Sequence, residues 1–429
     1  MEWTEDQLNT IDVFIDFLAT PDQKFMVIQG ASGSGKSTMI KHLAKMAEKH
    51  KAMSALLLQK NKRDVGFNLV LAATTNPAST VLENFTKKSA GTIHSHLGLA
   101  VKNNYKTGKK YLVLRKGAEK IHDSLIIIDE ASMINRELLD IIDQRTKNCK
   151  IVLIGDQYQL APVNQTATVM ETLQCPKSTM NKIMRNSGII METGAQFRKT
   201  VETGIFKPIP TGHKSLFKAD GPTFQRELRK AFTSEAYGIN TARLLAWTNN
   251  RVQECNAYIR CMKGYPTDFQ VGEVVITNKP IQTKGYYKPI DSEVTITCIH
   301  KPTEEFGVYG RMVEVGGCFT SFLPDNPGAE RILLSNLAAK KEWKDFFVIT
   351  DTWLDLRLPY ASTVHKAQGH TYDTVFIDLS DIGKCRISSD VARMLYVAIT
   401  RSSEQVYLHG DLPECYGGGS PDLSQLMAS

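Results

Sequence analysis

Gly30, Gly33 and Gly35 of GASGSGKS (Gly30–Ser37) lie between an apolar run, QKFMVIQ, and Ile40, Leu43, Ala44 and Ala47 at helical spacing. Strand, glycine turn and helix start make a phosphate cradle: the glycines let the loop wrap with its amide hydrogens inward, and the helix N-terminus adds partial positive charge. Gly30, Ala31, Ser32, Gly33, Ser34, Gly35, Lys36 and Ser37 form it, with Thr38 beside it. Lys36 can reach the β- and γ-phosphates and Ser37 can ligate magnesium, so ATP and Mg2+ are the expected small molecules. Asp129 and Glu130 follow the apolar run LIII. Asp129 fits a magnesium partner, and Glu130 the group that orients and deprotonates an attacking water. In GDQYQ the neutral amide of Gln159 is placed to sense a terminal phosphate. Arg401, just after LYVAIT, is a candidate arginine finger, a cation that stabilises charge on a transferred phosphoryl group.

These groups need elements that deliver them to one edge. Asn68–Ala73 (NLVLAA), Leu125–Asp129 and Lys150–Gly155 read as buried strands alternating with helices, the pattern of a parallel α/β sheet. Ligands of such sheets sit at the carboxyl ends of the strands, where every one of these motifs lies. A second α/β unit is expected from about Lys177, with RLLAWTN and TVFIDLS as buried strands.

Two stretches break the pattern. Residues 99–120 read as a hairpin turning at Thr107–Gly108, and carry Lys102, Lys106, Lys109, Lys110, Arg115, Lys116 and Lys120 with no acid before Glu119. That is either a solvated hairpin or an insertion that touches nucleic acid. Residues 272–345 contain short alternating strands with glycine and proline turns, a small β-barrel-like insertion. The expected division is a first lobe at 1–98 and 121–176, the hairpin at 99–120, a second lobe at 177–271 and 346–412, the β-rich insertion at 272–345 and a tail at 413–429 rich in glycine, serine and proline. No internal repeat is evident.

A chain of 429 residues is too long for one ordinary core, and 42% hydrophobic with 23% charged residues is a globular balance. The longest apolar runs are strand-length, so no membrane span is expected, and the acidic N-terminus lacks a signal-peptide pattern. Eight cysteines without a CxxC pair argue for reduced thiols in a cytoplasmic protein rather than a zinc or iron–sulphur centre. A net charge of +7 is compatible with a polyanionic partner but does not require one.

In this order the segments resemble the superfamily 1 helicases, most closely the RecD/Dda-like 5′→3′ branch, over nearly the whole chain from Gln7 to about His409. STVHKAQG (Ser362–Gly369) and YVAITRS (Tyr396–Ser402) are the specific segments, since phosphate-loop proteins in general lack them. The resemblance implies two RecA-like lobes, a strand-separating pin for the basic hairpin and an SH3-like subdomain for the β-rich insertion. It implies that Gln7 reads adenine, that Gln368 and Gly369 lie near the nucleotide, and that Arg185 in NKIMRNS faces the γ-phosphate. It implies further that Thr75, Asn76, Thr92 and His94 in the first lobe, and Thr363 and His365 in the second, line the path of a strand. Tyr105 near the hairpin turn could stack on a base. Thr74 stands where relatives commonly carry proline.

The expected activity is ATP-dependent, 5′→3′ translocation on single-stranded DNA by a monomer, opening forked or tailed duplexes, with single-strand-binding or replication proteins as further partners. Two alternatives stay open: a translocase that mainly strips proteins from DNA, and a non-motor ATP-binding switch. An RNA substrate is a third possibility within the same superfamily.

Overall fold

The computed structural model describes residues 3–58, 68–160, 168–182, 188–283 and 286–418. Arg185, Ala161, Pro162 and the end of the tail fall outside them. No helix among the described residues is long and apolar enough to cross a membrane.

The chain divides into two compact units: Met1–Gly98, Gly117–Val252 and Ser362–Ser429 in one, Leu99–Lys116 and Gln253–Ala361 in the other. The first holds two sheets. One has six strands in the order Lys177–Met180, Phe25–Gly30, Lys150–Gly155, Ser124–Asp129, Asn68–Ala73 and Ala90–Thr92. Its neighbours all pair in parallel. Val27, Ile28, Ile126, Ile127, Ile151 and Val152 are wholly buried, as strands covered on both faces require.

Lys177–Met180 belongs to this first sheet rather than opening the second α/β lobe, a correction to the expected boundary at 177. The segment KSTM has little apolar character of its own; its place is set by parallel pairing with Val27–Gly30. Helix Glu5–Ala19 holds it from outside: Thr10 and Ser178 share a hydroxyl hydrogen bond of 2.6 Å, and the Asp6 carboxylate accepts from the amides of Asn181 and Lys182. Thr4 and Gln7 close the start of that helix as a capping box, and the buried Lys150 ammonium donates to the carbonyls of Phe17, Thr20 and Gln23 at its end.

The second sheet runs Leu216–Lys218, Ser402–His409, Tyr372–Asp378, Ala242–Ala246 and Ala361–Thr363. Helix Ser388–Thr400 lies in its core, with Val391, Met394, Leu395, Val397 and Ile399 inaccessible to solvent. Gly194 of helix Ile189–Thr203 lets the two helices approach: a Cβ there would stand 2.9 Å from Thr400 Cγ2.

In the other unit, Phe319–Pro324, Val308–Val315, Glu293–Glu305, Val274–Thr277 and Leu356–Arg357 form an antiparallel sheet. Phe306 and Gly307, both at positive φ, make the two-residue turn between its longest strands, as a primed hairpin turn demands. The β-rich character expected of 272–345 is present, but two helices, Pro327–Lys340 and Trp343–Thr352, complete this unit through Leu337, Ile349 and Trp353 against Phe322. The unit extends to Ala361, past the expected boundary at 345.

The basic hairpin pairs Leu99–Asn103 with Lys110–Leu114. Its turn is longer than the expected Thr107–Gly108 pair: Asn104 Oδ1 accepts from the amides of Lys106 and Thr107, and Gly108 N donates to Asn104 O. The tip is packed against helix Trp343–Thr352. Tyr105 meets Phe347 edge-on at 5.1 Å, and Gly108, at φ +69°, lies so close to Trp343 that a Cβ would stand 2.2 Å from its ring. Asp351 accepts from Asn103 Nδ2 at 2.6 Å and Lys110 Nζ at 2.7 Å. Lys110 and Asp351 are both more than two-fifths exposed, so this ion pair contributes at most about 1 kcal/mol; ring packing holds the tip.

Candidate active site

The phosphate loop follows strand Phe25–Gly30 and opens helix Lys36–Leu58. Gly33 and Gly35 take positive φ, 82° and 88°, which turns the loop back on itself. A Cβ on Gly30 would meet Ser34 Oγ at 2.7 Å, so the loop closes on a space only glycine leaves open. Lys36 Nζ lies over it, donating to the carbonyls of Gly30 and Ala31 at 2.8 and 3.1 Å. Ser37 and Thr38 are half-buried in the first turn of the helix. Gln7 is buried against the loop; its Nε2 donates to Ser34 O at 3.2 Å and its Oε1 accepts from Thr4 N.

Asp129 ends strand Ser124–Asp129, and its Oδ1 accepts from Glu130 N at 2.9 Å. Burial, then the adjoining Glu130 carboxylate, push its pKa up to about 7, while Lys36 pulls the other way. Glu130 is left-handed at φ 52°, and Thr74 Oγ1 donates to its carbonyl at 3.1 Å. That hydroxyl ties the first residue after strand Asn68–Ala73 to the base candidate, which proline at 74 could not do.

Strand Lys150–Gly155 delivers Asp156 and Gln159, both buried. From the second sheet, Gln368 Nε2 approaches Ser132 Oγ at 3.5 Å, and a Cβ on Gly369 would lie 3.9 Å from Glu130 Oε1. Arg401 is buried; its guanidinium donates to Val397 O and His370 O and reaches Ser32 Oγ at 3.4 Å. Lys36, Asp129, Glu130, Gln159, Gln368, Gly369 and Arg401 are thus assembled around one loop from two sheets.

Among the described residues of these motifs, five buried oxygens have no hydrogen-bond partner: Ser34 Oγ, Glu130 Oε2, Gln159 Oε1, Ser362 Oγ and Gln368 Oε1. Each such orphan costs about 1–3 kcal/mol, so their concentration here marks a place built for further polar groups. A phosphate chain with a divalent cation fits. The Ser37 hydroxyl and Asp129 carboxylate are hard oxygen donors suited to Mg2+, and a bound cation favours the ionised form of Asp129.

The threonines and histidines expected along a strand occupy two similar units. Thr92 caps the four-residue helix Ile93–His96, its Oγ1 accepting from Ser95 N; Thr363 caps Val364–Ala367, accepting from Lys366 N. AGTIHSHLG (90–98) and ASTVHKAQG (361–369) align residue for residue, down to a glycine at positive φ in ninth place. This short repeat in the two lobes is not obvious until the elements align it. His94 and His365 have pKa values lowered by burial around the ring, although His365 keeps much of its side chain accessible. Thr75 caps helix Asn76–Thr86, so Thr75 and Asn76 sit at its N-terminus. Tyr105 stays 59% exposed beside Phe347, and Tyr111, across the hairpin from Lys102, is a second exposed ring that sequence reasoning had not singled out.

Two buried residues of helix Ser388–Thr400 were also missed. Arg393 Nη1 donates to the carbonyls of Gln157 and Gln159, the latter at 2.7 Å, and the Tyr396 hydroxyl lies between Asp156 and Ser32. Tyr396 stood inside the segment YVAITR; its helical spacing from Arg393 was the available signal.

The AAA domain family model matches residues 5–203, and the UvrD-like helicase C-terminal domain model matches 358–409. The chain is 26% identical to the ATP-dependent DNA helicase dda of Enterobacteria phage T4, over 94% of this chain and 98% of that protein. A segment covering 38% of the chain is 25% identical to the ATP-dependent RecD2 DNA helicase of Deinococcus radiodurans, of which it spans 20%. The fold is similar to that of a Pif1 helicase from Bacteroides, with TM-score 0.51 at 15% identity, over 100% of this chain and 96% of that one. Paired RecA-like sheets, phosphate loop and distant arginine define a superfamily 1 helicase, an ATP-hydrolysing enzyme acting on DNA. Within that superfamily the matches support a Dda/RecD-like helicase.

Proposed function

We propose that the enzyme translocates 5′→3′ along single-stranded DNA and separates duplex strands at a fork or tail. The observation that carries this reading is the reach of one helix, Ser388–Thr400, from the second sheet to both the phosphate loop and the Asp156–Gln159 turn. A nucleotide bound there touches groups from two sheets, so its presence can be converted into movement between them. Further support comes from Pif1 helicases of similar fold, one in complex with ADP-AlF3 and single-stranded DNA and one described for DNA unwinding at forked double-stranded DNA.

In this mechanism Lys36 turns from the Gly30 and Ala31 carbonyls to the β- and γ-phosphates, a short reorientation of a flexible stem. Mg2+, when bound, neutralises phosphate charge. Glu130 takes the proton of the water that attacks the γ-phosphorus, Gln159 senses that phosphate, and Arg401 stabilises the charge passing to the leaving ADP. Arg185 is assigned to the γ-phosphate as well, and Gln7 to the adenine end, where it already braces the loop through Ser34. Thr75, Asn76, Thr92 and His94 grip the strand in one lobe, and Thr363 and His365 in the other, largely through phosphates. The basic hairpin parts the duplex; stacking holds each step by about 1.4 kcal/mol, a modest load for a braced wedge.

Duplexes with a single 5′ or 3′ tail test the polarity. ATP-dependent opening of the 5′-tailed duplex, with little of the 3′-tailed one, is expected; the reverse preference would overturn the direction.

A further inference from the structure

The hydroxyl of Tyr396 occupies a position that phosphate chemistry alone does not explain. Tyr396 is 1% exposed, and its phenol accepts from Ser32 N of the phosphate loop at 2.9 Å while donating to Asp156 Oδ2 at 2.5 Å. Asp156 is wholly buried, and its other oxygen accepts from Tyr158 N. The turn it heads continues to Gln159, whose carbonyl is held by Arg393, one helical turn before Tyr396. Loop, turn and helix therefore meet at one oxygen.

We infer that Tyr396 is a positioning residue for ATP turnover: its hydroxyl locks the phosphate loop and the Gln159 turn to helix Ser388–Thr400, so that Gln159 and Arg401 reach the γ-phosphate end together. The inference rests on the motor reading above. Phenylalanine fills the same volume and removes only the hydroxyl, leaving Ser32 N and a buried carboxylate oxygen without this partner. The bond exists in the arrangement where Arg401 approaches Ser32, so its loss penalises that arrangement and slows turnover. Binding of the phosphates by the loop's other amides and by Lys36 is left intact. Burial and the Asp156 carboxylate raise the pKa of the phenol well above its ordinary value, so it remains a donor across the working pH range.

The test is full-chain Tyr396→Phe, Asp156→Asn and the double variant, assayed for kcat and KM for ATP with saturating oligo(dT), with thermal midpoints alongside. Expected is about a tenfold or greater loss of DNA-stimulated kcat in Y396F with KM within about twofold, and a double variant no slower than the slower single one. Unchanged kcat, a loss confined to KM, or additive losses would overturn the inference. Should Y396F not fold, D156N decides alone: a loss in kcat at constant KM supports the lock, and wild-type kinetics refute it. Wild-type enzyme that DNA does not stimulate contradicts the motor reading, and the lock falls with it; stimulated wild type with an unaffected Y396F contradicts the lock only.

Discussion

Thr92 and Thr363 use their hydroxyls to cap short helices, which leaves His94 and His365, with His96 beside His94 in the first unit, as side chains that can change charge near neutral pH. Burial lowers the pKa of His94 and His365 from about 6.5, with Asp390 opposing the shift at His365, so both rings are neutral at pH 7. A DNA phosphate favours the imidazolium form. Binding must then take up protons, and affinity for a strand rises as pH falls from about 8 towards about 6. Binding of a labelled oligonucleotide at constant salt should strengthen severalfold over that range, and His94→Gln with His365→Gln should flatten the trend. Affinity that is flat or weakens on acidification in the wild type would contradict placing these histidines on the strand path.

At the scale of elements, the hairpin depends on the helix it leans on. Gly108 combines a positive φ with near-contact to Trp343, so Gly108→Ala both strains the turn and drives the tip off its support. The expected outcome is a severalfold loss of duplex unwinding with DNA-stimulated ATP hydrolysis largely kept; equal losses in both assays would remove the hairpin from strand separation. The hairpin was legible from its alternation and basic charge, and the phosphate loop and Asp129-Glu130 from glycine spacing and a buried strand, because local patterns determine them. The support was not legible. Trp343, Phe347 and Asp351 lie some 240 residues further along the chain than the hairpin they hold, and no local periodicity records such a pairing. Lys177–Met180 misled for a related reason, since a four-residue strand of mixed polarity is placed only by its neighbour.

For the whole molecule, the central point is that the nucleotide site is completed from two sheets within one compact unit. Phosphate loop and carboxylates alone would describe many ATP-binding switches; the proposed coupling of hydrolysis to relative movement of the two sheets rests on Arg393 and Tyr396 of helix Ser388–Thr400 and on Arg401 at its C-terminal cap, which contact the phosphate loop and the Asp156–Gln159 turn. A switch has no need for DNA to accelerate its chemistry, whereas a motor that grips a strand with both lobes does. The most direct measurement is the steady-state ATPase rate of the full chain with and without single-stranded DNA, with Lys36→Ala as the control. The account predicts a low basal rate, raised by about tenfold or more with DNA and abolished in K36A. A wild-type rate that is the same with and without single-stranded DNA would contradict it.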